Sequence, residues 1–405
     1  MTDWLLTDIA DGRALRIRAG RIVEHAHGLA PNGASVLDCQ GGTIEPGRVN
    51  AHTHLYSGLA PLGMPAPSPA PQHFVQILER VWWKLDRALD AQSLRAAARF
   101  YIATALLSGT TTLVDHHESP RFIEGSLDVL ASACAELGCR ALLTFGATER
   151  NGGRAEGLAG LGECRRFIEK NTHVALRGLV GLHASFTVSD ETISAAAQLC
   201  KDLAVPMHVH VAEDRADVED ARRRGYHDPL DRLLRLSALP PGSIVAHGVH
   251  LDEAAVRRCA DEGLWLVQNP RSNHGNRVGY PRSLRHSSRV ALGTDGYPAV
   301  MSDEEAALTL YAKEASDDEA SVAARLHAGW SLLSEHFALP FAKLQAGAAA
   351  DLVVRSVHGA VRHVFVAGRL VVRDGALMAA DATTIRHEAA QQAQRLWHIM
   401  ATIDS

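Results

Sequence analysis

Between Gly42 and Gly296 the chain alternates short apolar runs with longer stretches whose apolar positions recur every three to four residues. The first pattern is that of buried parallel strands, the second that of helices packed along one face. Eight runs of strand length fall at 43–49, 110–115, 140–147, 174–182, 206–211, 243–249, 264–268 and 289–294. Helical stretches such as 91–107 and 190–203 separate them, the latter opened by Ser189 or Asp190 as a cap. This repeated order predicts an α/β protein, a (β/α)8 TIM barrel, in which all strand ends lead into loops around one mouth. Polar residues at those ends therefore converge.

Both chain ends depart from that rhythm. Strand-length runs at 14–18, 21–22 and 35–37, and again at 351–355, 361–366 and 368–372, predict a small β-sandwich assembled from the two termini. The expected division is residues 1–42 for the first part of the sandwich, 43–348 for the barrel, 349–378 for the second part and 379–405 for a C-terminal helix. That helix is polar-rich and is expected outside the barrel or at a subunit contact of a homodimer or higher homo-oligomer. The Pro- and Ala-rich segment 61–71 favours an irregular loop and follows His54, where a lid belongs.

With 405 residues and a net charge of -5, the chain carries no basic stripe for nucleic acid and no polybasic face for a membrane, which favours a small-molecule substrate. Its six cysteines contain no Cys-x-x-Cys pair, as expected of reduced core thiols in a cytoplasmic protein. The sequence around Met1–Trp4 has no charged leader or long apolar segment, so no export signal is expected.

The chemistry lies at the strand ends. His52 and His54 are two apart, so in an extended backbone both imidazoles face one side. His210 and, three residues on, Glu213 follow the fifth run; His247 closes the sixth and Asp295 the eighth. Imidazoles and a carboxylate suit one divalent ion, zinc first, with iron or manganese as alternatives. His208 shares a strand face with His210 but is expected in an inner layer of the barrel.

These motifs, with Asn269-Pro270-Arg271-Ser272-Asn273 at strand seven and Gly293-Thr294-Asp295 at strand eight, resemble the amidohydrolase superfamily, most closely its mononuclear deaminase and chlorohydrolase branch. Residues 78–86 and 115–120 are similar to the aminohydrolases found in selenium-metabolism gene clusters. The resemblance implies that His52, His54, His210 and Asp295 hold the metal, that Glu213, His247 and Asp295 carry out the proton chemistry, and that His183 contacts substrate. No lysine stands at strand four for carbamylation, which favours one ion over two.

Other residues have two readings. Of His116 and His117 one lines the pocket, His117 being the candidate, and the other points away. His250 either touches substrate or supports a neighbour. Arg271 and Arg277 either hold a substrate carboxylate or ring oxygen or lie solvated on a loop, and Asn273 borders the pocket. Trp82 and Trp83 either stack on a planar ring or, as the helical pattern favours, lie in the core. His274 stands where the family pattern has an apolar residue, which bears on substrate identity.

The expected activity is metal-dependent hydrolytic removal of an exocyclic amine, as ammonia, from a purine- or pyrimidine-like heterocycle. The alternative is displacement of chloride or sulfide, or opening of a cyclic amide. An inactive oligomeric scaffold is disfavoured because all six metal and acid-base residues are retained.

Overall fold

The computed structural model describes residues 2–403. Eight parallel strands form the barrel in chain order: Arg48–Thr53, Thr110–His117, Arg140–Ala147, Val180–Ala184, Met207–Val211, Ile244–His247, Trp265–Gln268 and Val290–Leu292. The seam between the first and last closes through the Asp295 N–H, which donates to the His52 carbonyl at 3.0 Å. Asn50 completes it, accepting from Thr294 N at 3.0 Å and donating to Thr294 Oγ1 at 2.7 Å. Gly293 is required here: a Cβ would lie 2.5 Å from the His52 carbonyl oxygen.

Several of the crossover helices begin where the sequence supplies a cap. Asp90 and Ser93 form a capping box on Ala91–Leu107, and Ser189, Asp214, Asp228 and Asp252 cap the helices starting at Asp190, Arg215, Pro229 and Glu253. The apolar faces of these helices close over the outer faces of the strands. Within the barrel, Val49, Val114, Leu142, Ile244 and Val267 are sealed by Leu332, Leu333 and Phe337 of helix Glu319–Phe337. One end of the barrel is thus plugged by apolar side chains; the opposite end collects histidines and acids.

The terminal strands form a separate eight-stranded sheet. Its centre is Ser35–Pro46, which pairs in parallel with Trp4–Ile9 and antiparallel with Leu352–Arg355. The sheet folds over a core of Leu6, Leu15, Ile17, Leu352 and Phe365, with Trp4 edge-on to Phe365 at 5.7 Å. Residues 43–46, expected to open the barrel, finish this long strand instead, because their partners are Leu352–Arg355. The 174–182 run also differs, splitting into Leu176–Gly178 and Val180–Ala184.

Helix Ala382–Ala401 buries Ile385, Ala389, Ala393 and Leu396 and packs on Ala91–Leu107, where Arg99 pairs with Glu388. Its apolar face is therefore used within the chain. All six cysteines are buried and unpaired. Among the described residues, no helix is long and apolar enough to cross a membrane.

Candidate metal centre and catalytic pocket

His52 and His54 sit at the end of the first strand, His210 on the fifth, and Asp295 just past the eighth, so three strand ends place four side chains over one point. One donor atom from each lies within 4.8 Å of the others. His54 Nε2 and His52 Nε2 are 2.8 and 3.3 Å from Asp295 Oδ1, and His52 Nε2 is 3.2 Å from His210 Nε2. Ligands about 2.0–2.1 Å from a tetrahedral zinc are separated by ~3.3 Å, close to these three separations.

The remaining ring nitrogens explain this orientation. His54 Nδ1 donates to the His116 carbonyl, His210 Nδ1 to the His183 carbonyl at 2.7 Å, and His52 Nδ1 meets His208 Nε2 at 2.9 Å. Each outer contact holds a ring so that Nε2 turns inward. His208, expected in an inner layer, thus supports the His52 ring. The donor set fits a divalent cation.

Electrostatics agree with the donor chemistry. Burial lowers His52 to about 3, and burial with neighbouring imidazoles keeps His210 well below its ordinary value. Burial also opposes charge on His54, but the hydrogen bond and charge of Asp295 lift it to about 9. Asp295 is pushed up by burial yet held well below the usual carboxylate range by His52 and His54. A cation entering this site takes the place of the proton on His54.

Glu213 and His247 stand beside the cluster, with donor atoms of Glu213, His247 and Asp295 within 4.8 Å of one another. His247 has φ +74° and Asp295 φ +53°, strained conformations that aim both side chains into the mouth. Asn269 Nδ2 and Asn273 Nδ2 face His247 Nδ1 at 3.2 and 3.0 Å, which places the ring proton on Nε2, 3.4 Å from Glu213 Oε2. Burial lowers His247 to about 4, so it is neutral. Burial and the Asp295 charge raise Glu213 well above its ordinary value, which favours its protonated form.

A cleft opens above the cluster. His54, His183, His210, Glu213 and Asp295 line it. Other residues named from the sequence lie elsewhere. His117 is buried behind the wall, bonded through Nε2 to Ser119 Oγ at 2.8 Å and lowered by burial to about 3. Arg271 is tied to the buried Glu304 and to the Pro298 carbonyl, which leaves it no reach into the cleft. Asn273 acts on His247. His250 is half-buried beyond Ala212, whose carbonyl accepts its backbone N–H. His274 stacks on Tyr311 at 4.3 Å, outside the cleft.

Five residues were missed or misplaced by sequence reasoning. Trp82 and Trp83, expected in the core, line the cleft together with Phe74 and Leu78. Asn276 donates to Glu213 Oε1 at 3.2 Å, and the Ser272 hydroxyl donates to Asp295 Oδ2. Glu118 also lines the cleft; its Oε1 is 3.0 Å from His116 Nδ1 and its Oε2 accepts from Tyr56 at 3.2 Å. Burial works against its ionisation, but the imidazoles of His183 and His116 hold the carboxyl below the usual range. The strand-end rule that found the histidines applies equally to Glu118, one residue past strand two.

A cluster of potential cation ligands at the end where barrels of this architecture keep their chemistry, flanked by a protonatable acid, is the arrangement of a metal-dependent hydrolase. Residues 43–371 match the sequence model of the amidohydrolase family, and the chain belongs to that family. It is 29% identical over 395 residues to a 5'-deoxyadenosine deaminase of Methanopyrus kandleri, covering 87% of this chain and 86% of the relative. It is 28% identical over 309 residues to an 8-oxoguanine deaminase of Pseudomonas aeruginosa, covering 71% and 68%. The fold is that of an adenosine deaminase from Xanthomonas campestris with bound zinc, with a TM-score of 0.81 over 98% of each chain and 22% identity.

Proposed function

We propose that this chain is a metal-dependent hydrolytic deaminase that removes an exocyclic amine from a purine- or pyrimidine-like heterocycle and releases ammonia. The observation that carries the reading is the placement of a protonatable Glu213 and a neutral His247 against the His52, His54, His210 and Asp295 cluster. The relatives' deaminase names support it. Zinc is the ion proposed, on the nitrogen-rich donor set and the zinc named with the Xanthomonas structure. Residues 78–86, similar to the selenium-cluster aminohydrolases, supply Leu78, Trp82 and Trp83 to the cleft.

A divalent ion at this site supplies Lewis acidity, which brings water into the range where it attacks carbon near neutral pH. The chain's own groups do the rest. Glu213 gives a proton to the ring nitrogen next to the reacting carbon, drawing electrons from that carbon. His247 donates from Nε2 and orients the attacking oxygen, and Asp295 Oδ takes the first proton from water. Asp295 then hands that proton to the amine, while the hydroxyl of the tetrahedral adduct returns one to Glu213. Ammonia leaves and a carbonyl remains. Trp82 and Trp83 present flat faces suited to an aromatic ring.

The test is a screen of metal-loaded protein against aminated heterocycles and their chloro, thio and cyclic-amide counterparts, with ammonia, chloride and sulfide measured and product masses recorded. Ammonia release with amine-to-carbonyl exchange supports the proposal. Chloride or sulfide as the sole product, or a hydrated ring with no group lost, refutes it.

A further inference from the structure

The family chemistry uses one carboxylic acid beside the reacting carbon, Glu213, but this cleft presents a second carboxyl from the other side. Glu118 follows strand two, three strands around the mouth from Glu213. Among the described residues its carboxyl oxygen lies within 4.8 Å of ring nitrogens of His54 and His116, and likewise of His183 and His210. It is 3% exposed, and its neighbours fix its direction.

His116 Nε2 faces the Leu182 carbonyl at 3.0 Å, a pure acceptor, so that nitrogen carries a proton. The Tyr56 hydroxyl donates to Glu118 Oε2 at 3.2 Å, so that oxygen is an acceptor, and His116 Nδ1 holds Oε1 at 3.0 Å. A carboxyl group has acceptor capacity in either protonation state, and His116 and Tyr56 engage only one position on each oxygen. The unspent ones belong to a group that lines the cleft.

A second metal ion is the first use to weigh, and the donor count disfavours it. His116 is bonded through both nitrogens, and His54 and His210 each spend Nδ1 on a backbone carbonyl and Nε2 on the main cluster. Only Glu118 and His183 remain, too few to hold an ion. The unspent capacity is therefore for hydrogen-bond donors. Because Glu118 stands so near His210, the donor it meets is on the reacting ring and not on a remote substituent.

Resting on the deaminase reading above, we propose that Glu118 is a specificity-determining residue that accepts the N–H adjacent to the reacting carbon, so that the substrate is a cyclic guanidine of the 2-amino-lactam kind. In such a ring, as in guanine or isocytosine, the aminated carbon lies between a bare nitrogen and an N–H. The bare nitrogen is what Glu213 protonates; the N–H is what Glu118 accepts. In adenine or cytosine the aminated carbon has a bare nitrogen on one side and carbon on the other, which leaves Glu118 buried without a donor, an arrangement that costs affinity.

The lining charge points the same way. Five carboxyl groups line the cleft, those of Glu118, Glu213, Asp214, Asp217 and Asp295, and no Lys or Arg among the described residues joins them. Phosphorylated or carboxylated heterocycles are thereby excluded and neutral, donor-rich rings admitted.

The test pairs a protein change with a ligand change. Zinc-loaded wild type and Glu118→Gln are compared by isothermal titration calorimetry and by kcat/KM on guanine, isocytosine, their analogues methylated at the lactam nitrogen, adenine and cytosine. In the wild type, guanine or isocytosine is preferred, and methylation costs ~10- to 100-fold, the range for a buried acceptor left unpaired. In Glu118→Gln the unmethylated ligands lose a similar factor, methylation costs little more, and zinc content is unchanged. Equal losses on methylated and unmethylated ligands overturn the proposal, as does a wild-type preference for adenine or cytosine, binding of none of the ligands, or loss of a zinc equivalent in the variant. If the wild type binds the amino-lactams with the methylation penalty but releases no ammonia, the deaminase reading fails while the role of Glu118 stands.

Discussion

Replacing Glu213 with Gln isolates the proton chemistry from the metal site. Gln has nearly the shape of protonated Glu, and its carbonyl oxygen can still accept from Asn276 Nδ2, now 3.2 Å from Oε1. Since burial and Asp295 already favour the neutral form, the swap exchanges one neutral group for another, and stability should change by less than ~1 kcal/mol. Glu213 is outside the four-donor cluster, so metal content should be unaffected. What is lost is a proton delivered in the transition state, worth ~10²- to 10⁴-fold in kcat. The pH profile adds a sign. The working form is the protonated one and its value is raised, so wild-type kcat/KM should fall as pH rises through it, and the variant should lack that alkaline limb. Steady-state ammonia release from pH 5 to 10, with metal analysis of the same samples, makes the measurement. A variant that keeps more than about a tenth of kcat, or one that loses its metal, would refute the assignment.

Three other substitutions follow from the geometry. His208→Ala removes the partner of His52 Nδ1 and should weaken metal binding ~10- to 100-fold in competition with a chelator, with partial recovery in His208→Gln. Arg150→Met strands Asp86, which pairs with Arg150 at 2.7 Å in a buried site, and should cost about 3–5 kcal/mol in urea unfolding. Burial already raises Asp86 to about 7, so that loss should be smaller at pH 5, where the carboxyl is neutral, than at pH 8. Burial likewise lifts Asp115 to about 7 from an ordinary 3.8, despite the Leu55 N–H it accepts at 2.6 Å. The native state therefore holds a proton the unfolded chain has lost, and this group's contribution to stability declines as pH rises from about 4 to 7. Asp115→Asn should flatten that decline in urea midpoints measured across the window; an unchanged slope contradicts it.

The barrel was legible because its strands are buried on both faces and read as continuous apolar runs. Arg140–Ala147 has the boundaries expected of it, and Met207–Val211 differs by a single residue. Boundaries drifted where pairing partners lie far away in sequence: nothing local in Thr43-Ile44-Glu45 reveals that it pairs with Leu352–Arg355. Strand-end histidines were legible for a related reason, since period-two spacing puts His52 and His54 on one side without any tertiary information. Their orientation was not legible, because it depends on the carbonyls of His116 and His183 and on His208, each from another strand.

Trp82 and Trp83 show the opposite failure. An aromatic pair in a helical stretch ordinarily faces the core, and pattern alone carries no sign that the helix crosses an open mouth. What turns Trp83 into a cleft wall is contact from elsewhere: the Arg150 guanidinium lies 4.7 Å over its ring and is itself held by Asp86. Trp82 lies over the turn after strand eight, where a Cβ on Gly296 would come within 2.9 Å of the indole. The metal-binding half of the site is thus encoded in strand periodicity, whereas the substrate-reading half is encoded in contacts between loops of different strands. Relatives that share the first half are free to differ in the second. The ligand set therefore says little about which heterocycle is taken, and Glu118, Trp82 and Trp83 are where this chain's own selectivity should be sought.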